Sequence, residues 1–140
     1  MQLDTRLARL LHVLIHMHLR GGTTTSDTIA QMLHTNPSLV RRTMAALREA
    51  GYVESVAGPG GGWALACELA DITARDVYTA IAYKGVFALG PAEDNPACPV
   101  ESAVNGFLED ALGHAQDVLL RTLEATRLSD LAARVTGAMR

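Results

Sequence analysis

Pro37 constrains this chain more than any other residue. It lies inside a stretch, residues 27–50, whose apolar positions recur at helical spacing. A proline within a helix removes a backbone hydrogen bond and clashes with the preceding turn, which costs about 3 kcal/mol. The stretch is therefore expected to fold as two helices. Asn36 suits the N-cap of the second and Pro37 its first position. The first runs from about Asp27 to His34 with Ile29, Ala30 and Leu33 on one face, capped by Thr24, Thr25 or Ser26. The second runs to about Ala50, where Gly51 closes it, and its stripe is Leu39, Val40, Met44 and Leu47. Two short helices joined by a tight turn, the second carrying arginines, form a helix-turn-helix pattern.

What flanks this pair extends the pattern. Upstream, Leu7, Leu10, Leu11, Leu14 and Met17 predict a helix over residues 3–20, stopped by Gly21-Gly22. Downstream, Tyr52-Val53-Glu54-Ser55-Val56 and Trp63-Ala64-Leu65-Ala66 are β-prone runs separated by Ala57-Gly58-Pro59-Gly60-Gly61-Gly62. That reads as a hairpin with a glycine tip. A helix-turn-helix followed by such a hairpin is a winged helix. The fold class expected is mainly α with a small β-hairpin wing.

Past the wing, Thr73-Ala74-Arg75-Asp76 has the form of a capping box and opens a short helix bearing Ala74, Val77 and Ile81. Residues 85–99 carry Gly85, Gly90, Pro91, Asn95, Pro96 and Pro99 and should be irregular. Residues 100–127 return to helical spacing, with a stripe through Val104, Leu108, Ala111, Ala115, Val118, Leu119 and Leu123. A helix that long exceeds what one small domain covers, so a second copy of the chain is the expected partner, with Val104, Leu108, Ala111, Ala115 and Leu119 at the interface. A last short helix is expected over residues 129–135. The expected division is residues 1–67 for the winged helix, 68–99 for a connecting helix and loop, and 100–140 for dimerisation.

Charge follows the same division. Residues 1–66 hold six arginines against four acids, while residues 67–140 hold six basic residues against eleven acids. The net charge of −3 thus hides a mildly positive N-terminal half, which is where nucleic acid would be held. Apolar runs such as Val13-Leu14-Ile15 are too short to cross a membrane. Met1-Gln2-Leu3-Asp4 does not start a signal peptide, and two cysteines in 140 residues make no disulfide scaffold, so a cytoplasmic setting is expected.

Ser38, Arg41 and Arg42 lie in the first turns of the third helix, where a recognition helix meets base edges and phosphates. Ser26 and Asn36, at the starts of the two helices, and Gly60 and Gly61, at the tip of the wing, complete the expected DNA contacts. Trp63 is expected to anchor the wing, and Arg48 to face solvent. The glycine tip is not a nucleotide-binding loop, because no Gly-Lys-Ser/Thr follows it. No nucleophile–base or carboxylate pair stands out, so an enzyme is not expected. His12 and His16, four apart on one helix, lack a third ligand, and no metal site is expected.

Taken together, Asn36-Pro37-Ser38-Leu39-Val40-Arg41-Arg42, Leu47-Arg48-Glu49-Ala50-Gly51-Tyr52-Val53 and Gly58-Pro59-Gly60-Gly61-Gly62-Trp63-Ala64-Leu65-Ala66 resemble the Rrf-two family of bacterial winged-helix transcription regulators. Ile72-Thr73-Ala74-Arg75-Asp76-Val77-Tyr78 and Asn95-Pro96-Ala97-Cys98-Pro99-Val100 continue the resemblance over nearly the whole chain. It implies a dimer paired through the long helix, double-stranded DNA as partner, and action as a repressor on a pseudo-palindromic operator. Two departures matter. Ala57 stands where family members often place an arginine for the minor groove. The loop before the long helix holds one cysteine, Cys98, where cluster-binding members hold three. A cluster needs about four ligands, mostly thiolates, so no iron–sulfur cofactor is expected.

Cys98 is the one candidate for a redox switch. A thiol at a helix N-terminus is acidified, though Glu93, Asp94 and Glu101 oppose this; the simpler reading is a small N-capping residue. Two other functions stay open: a thiol- or metal-responsive sensor acting through Cys98 or His12/His16, and a winged-helix protein-interaction module that binds no DNA.

Overall fold

The computed structural model describes residues 3–81 and 86–138. The elements are α1 (Arg6–Arg20), α2 (Ser26–Leu33), α3 (Pro37–Glu49), β1 (Val53–Val56), β2 (Gly62–Leu65), a 3₁₀ turn (Leu69–Asp71), α4 (Ala74–Thr79), α5 (Pro99–Glu124) and α6 (Leu128–Ala138). Gly85, one of the glycines placed in the expected irregular segment, lies outside the described residues.

The helix boundaries have local causes. The cap of α2 is Thr25, whose Oγ1 accepts the Thr28 N–H at 3.2 Å. Asn36 Oδ1 accepts the Leu39 N–H at 3.0 Å, and Pro37 takes the first position of α3. Between the two helices His34 adopts φ +50, a left-handed conformation that histidine tolerates better than most side chains. The backbone thereby reverses without a glycine, and the Thr35 N–H closes the turn on Ala30 O at 2.9 Å. At α4 both halves of the capping box form: Asp76 N–H to Thr73 Oγ1 at 3.1 Å, and Thr73 N–H to Asp76 Oδ2 at 2.9 Å.

Leu10, Val13, Leu14 and Met17 of α1 meet Ile29 of α2, Val40, Met44 and Leu47 of α3, and Val53 of β1 in one buried cluster. Each large side chain so buried contributes about 1.5–3 kcal/mol. The chain then returns to this core from its far end. Leu128 and Ala132 of α6 are buried in the same cluster as Leu69, Ile72 and Val77. The junction is held by Leu128 N–H to Ile72 O at 2.9 Å, Ala74 N–H to Thr126 O at 2.8 Å, and the Arg127 guanidinium on Ala70 O at 2.7 Å.

At 26 residues, α5 is about 39 Å long. Its C-terminal end is tied to α4, with Arg75 on Glu124 at 3.1 Å. Its N-terminal end holds the preceding loop through Asn105 and Glu101, which bond the backbone of Ala92 and Asn95. No residue of α5 is buried. Val100, Val104, Phe107 and Val118 are 70%, 50%, 69% and 45% exposed, and with the exposed Ala111 they lie on one side of the helix. Val104, Ala111 and Ala115 of the expected interface belong to this side, while Leu108 and Leu119 sit half-buried at its shoulder. Phe107, three residues after Val104 and four before Ala111, shares this side and was absent from the expected stripe, which followed the neighbouring edge through Leu108, Ala115 and Leu119.

Candidate nucleic-acid interface

β1 and β2 pair antiparallel, with Val53 opposite Leu65 and Ser55 opposite Trp63. A third strand segment joins them. Thr24, just before α2, exchanges both backbone hydrogen bonds with Trp63 at 2.8 Å each. The wing is thus paired to the helix-turn-helix. Gly62 makes the approach possible: its φ is +142, and a Cβ there would lie 2.6 Å from Thr24 O. The Trp63 indole N–H donates to Ser26 Oγ at 3.1 Å, and the Thr23 hydroxyl donates to Gly60 O at 2.9 Å. The Arg48 guanidinium sits 6.0 Å from the centre of the Trp63 ring, within cation–π range. Arg48 is exposed, as expected, and in addition lies at the outer limit of that range over the Trp63 ring. Arg48 and Thr23 are the residues that sequence reasoning missed, and no local signal marked either.

Above this frame α3 presents its outer face. Ser38, Arg41 and Arg42 are exposed and, with Ala45, line one open depression. Arg41 donates to Ser38 Oγ at 3.2 Å, which aligns its guanidinium along the helix. The opposite side of α3 is closed by Thr43, whose hydroxyl bonds Leu39 O at 2.8 Å. Among the described residues no carboxylate forms an ion pair with Arg41, Arg42 or Arg48. A solvent-facing arginine without a counter-ion keeps its full charge for phosphate or for guanine O6 and N7.

The remaining expected contacts take more specific places. Asn36 uses its Oδ1 as the α3 cap, and Ser26 Oγ is the acceptor for Trp63. Gly61 turns its N–H inward to Gly58 O at 2.9 Å, and a Cβ on it would collide with the carbonyls of Val56 and Gly58. Gly60 is exposed at the tip.

The comparisons with known proteins agree with this geometry. The family model described as "Rrf2: Iron-dependent Transcriptional regulator" matches residues 3–134. The chain belongs to the Rrf2 family of transcriptional regulators. YwnA of Bacillus subtilis (strain 168), named as an HTH-type transcriptional regulator, is 30% identical over 129 residues, or 92% of this chain and 96% of YwnA. The solved structure of IscR from T. potens shares the fold with a TM-score of 0.76 at 19% identity, over 100% of this chain and 92% of that one. CymR, the Global Cysteine Regulator of B. subtilis, does so with a TM-score of 0.68 at 24% identity, over 96% and 98%. The described residues are those of a winged-helix Rrf2 regulator, with the hairpin as its wing.

The family description invokes iron, and the donor set of this chain does not fit a resident cluster. The sequence holds two cysteines. Cys67 lies past β2 with its thiol on Tyr52 O at 3.4 Å, and burial, then Glu68 and Asp71, push that thiol above its ordinary range. Cys98 is the N-cap of α5 and makes no side-chain cap bond. Among the described residues no three His, Cys, Asp or Glu side chains converge. His12 and His16 stand 5.0 Å apart ring to ring, and burial, then the charge of His16, lower the pKa of His12. No helix is long and apolar enough to cross a membrane among the described residues.

Proposed function

We propose that this Rrf2 regulator acts as a homodimeric repressor that reads a pseudo-palindromic operator from the cytoplasm. Residues 1–67 hold DNA, 68–99 connect, and 100–140 pair two subunits. The observation that carries the reading is the outer face of α3: Ser38, Arg41 and Arg42 exposed together, with no counter-ion, beside a wing paired to the same unit. In this reading Arg41 and Arg42 contact base edges or phosphates, while Ser26 and Asn36 hold the helix starts and the wing in register. Gly60 meets the sugar–phosphate backbone; with Ala57 on the wing, no arginine is available there for the minor groove. The apolar side of α5, from Val100 through Val104, Phe107 and Ala111 to Val118, supports pairing with a second copy, because single exposed chains rarely carry so long an apolar line. Two-fold pairing sets half-sites about one helical turn, roughly 34–36 Å, apart.

The test is fluorescence anisotropy of a labelled duplex from this gene's own upstream region, titrated with protein against excess random duplex. Saturable binding that survives competitor is the expected result, followed by loss of transcript from that promoter in vitro. Binding that random duplex abolishes removes the operator reading. Undetectable binding at low salt leaves the fold serving protein–protein contact.

A further inference from the structure

A second concave site lies around the corner from the DNA-facing surface. The start of α1 and the inner edge of α3 enclose a groove of about 310 Å³ whose floor is Leu10, Leu39 and Ile81 and whose rim is Arg6, Arg9 and Arg42. The arginines come from two helices, and their charges are unequally compensated. Arg6 is held by Asp4, Nη2 to Oδ2 at 2.7 Å. Arg9 bonds the neutral Thr5 hydroxyl at 3.0 Å, although Asp4 also lies within electrostatic reach of it. Arg42 has no ion pair among the described residues. Arg9 and Arg42 thus line an apolar groove, and Asp4, the carboxylate within electrostatic reach of Arg9, is already bonded to Arg6.

This combination selects a ligand class. Small-molecule sites are concave and mostly apolar, with a few placed polar groups, and begin near this volume. A DNA backbone would contact the arginines but would leave the leucine and isoleucine floor empty, so the geometry favours an anion with an apolar body. We propose that the groove binds a small organic monocarboxylate with a medium-length apolar chain, its carboxylate held by Arg9 and Arg42 and its chain on Leu10, Leu39 and Ile81. Guanidinium and carboxylate match in a two-point geometry that an ammonium cannot offer.

The site is coupled to function through one residue. Arg42 lines both this groove and the depression it shares with Ser38 and Arg41 on the outer face of α3. A carboxylate that holds Arg42 withdraws it from DNA, and bound DNA weakens the carboxylate by the same factor. This regulatory half rests on the DNA-facing reading of α3; occupancy of the groove does not.

The experiment separates the two. Octanoate is titrated into intact ¹⁵N-labelled protein, with octanol as the uncharged control. The expected result is amide shifts at Leu10, Leu39 and Thr43 with octanoate and none there with octanol, and octanoate binding weakened about tenfold or more by Arg9→Gln and by Arg42→Gln. Saturating octanoate is expected to lower the duplex affinity of the unaltered protein about tenfold and to leave that of Arg9→Gln unchanged. Shifts confined to the apolar side of α5, or binding indifferent to Arg9→Gln, overturn the site. Weaker duplex binding by Arg9→Gln without octanoate, with a salt dependence reduced by about one phosphate contact, assigns the arginines to DNA and also overturns it. Octanoate in the groove of a protein that binds no duplex keeps the site and overturns its regulatory half.

Discussion

The Trp63 indole N–H donates to Ser26 Oγ at 3.1 Å, across 37 residues of sequence. This bond joins the inner strand of the wing to the first turn of α2, beside the backbone pairing of Thr24 with Trp63. Ser26→Ala leaves the indole donor without its partner and should cost about 1 kcal/mol in chemical denaturation. Trp63→Phe should cost more, through lost packing. In a double-mutant cycle the two should couple by about 0.5–1.5 kcal/mol. Additive effects would mean that the bond contributes nothing to the placement of the wing.

Thr24, the other member of this junction, is buried, and its Oγ1 has no hydrogen-bond partner among the described residues. A buried hydroxyl without a partner costs about 1–3 kcal/mol. Thr24→Val keeps the shape and removes the cost, so stability should rise by about 1 kcal/mol. A fall in the denaturation midpoint would show that the hydroxyl is satisfied after all.

Arg41→Ala and Arg42→Ala remove charge from the outer face of α3, where neither side chain supports the core. Each should weaken specific duplex binding by about 1–3 kcal/mol and leave thermal stability within about 0.5 kcal/mol. Anisotropy against operator and random duplex reads the first effect, and calorimetry the second. Unchanged affinity in both variants would remove α3 as the reader.

The parts of this molecule governed by neighbouring residues were legible in its sequence. Asn36 and Pro37 start α3 where their chemistry requires, and Thr73 and Asp76 close the capping box. The arginines of α3 face outward because the apolar stripe of Leu39, Val40, Met44 and Leu47 faces in. What stayed hidden depends on residues far apart in the chain. Ser26 looks like a helix cap or a DNA contact in sequence, yet it accepts from the Trp63 indole 37 residues away. The return of Leu128 to the core, and Arg48 over the Trp63 ring, have no local signature. The site line through Phe107 was missed because periodicity finds an apolar face but not which edge of it the rest of the chain leaves open.

That open edge makes a prediction. Phe107 is 69% exposed at the middle of the line from Val104 to Ala111, so an interface there would bury it at its centre. Phe107→Asp places a charge in that centre without touching the single-chain core. With the proposed pairing through α5, light scattering should show dimer giving way to monomer, a loss of about 2 kcal/mol or more in association. Circular dichroism should stay unchanged. Duplex affinity should fall with it, since each subunit then holds one half-site. A Phe107→Asp protein that remains dimeric would place the contact elsewhere.

The surroundings of the Cys67 thiol have a consequence that chemistry can read. Burial is the first cause that raises the Cys67 pKa, and the charges of Glu68 and Asp71 add to it. All three disfavour the thiolate, which is the nucleophile. Iodoacetamide at pH 8 should therefore alkylate Cys67 more slowly in the folded protein than in the unfolded chain, by a factor that shrinks as pH rises. The sign also fixes a stability trend. A thiol whose folded pKa is raised binds its proton more tightly than the unfolded chain does. Stability from this group is present below pH 9.0, the ordinary value, and is lost as pH climbs from there through the folded pKa. Cys67→Ser should remove that alkaline loss. Mass spectrometry of the timed alkylation decides the first point, and denaturation midpoints between pH 8 and about 10 decide the second; equal alkylation rates in folded and unfolded protein would show that the thiol is not shielded.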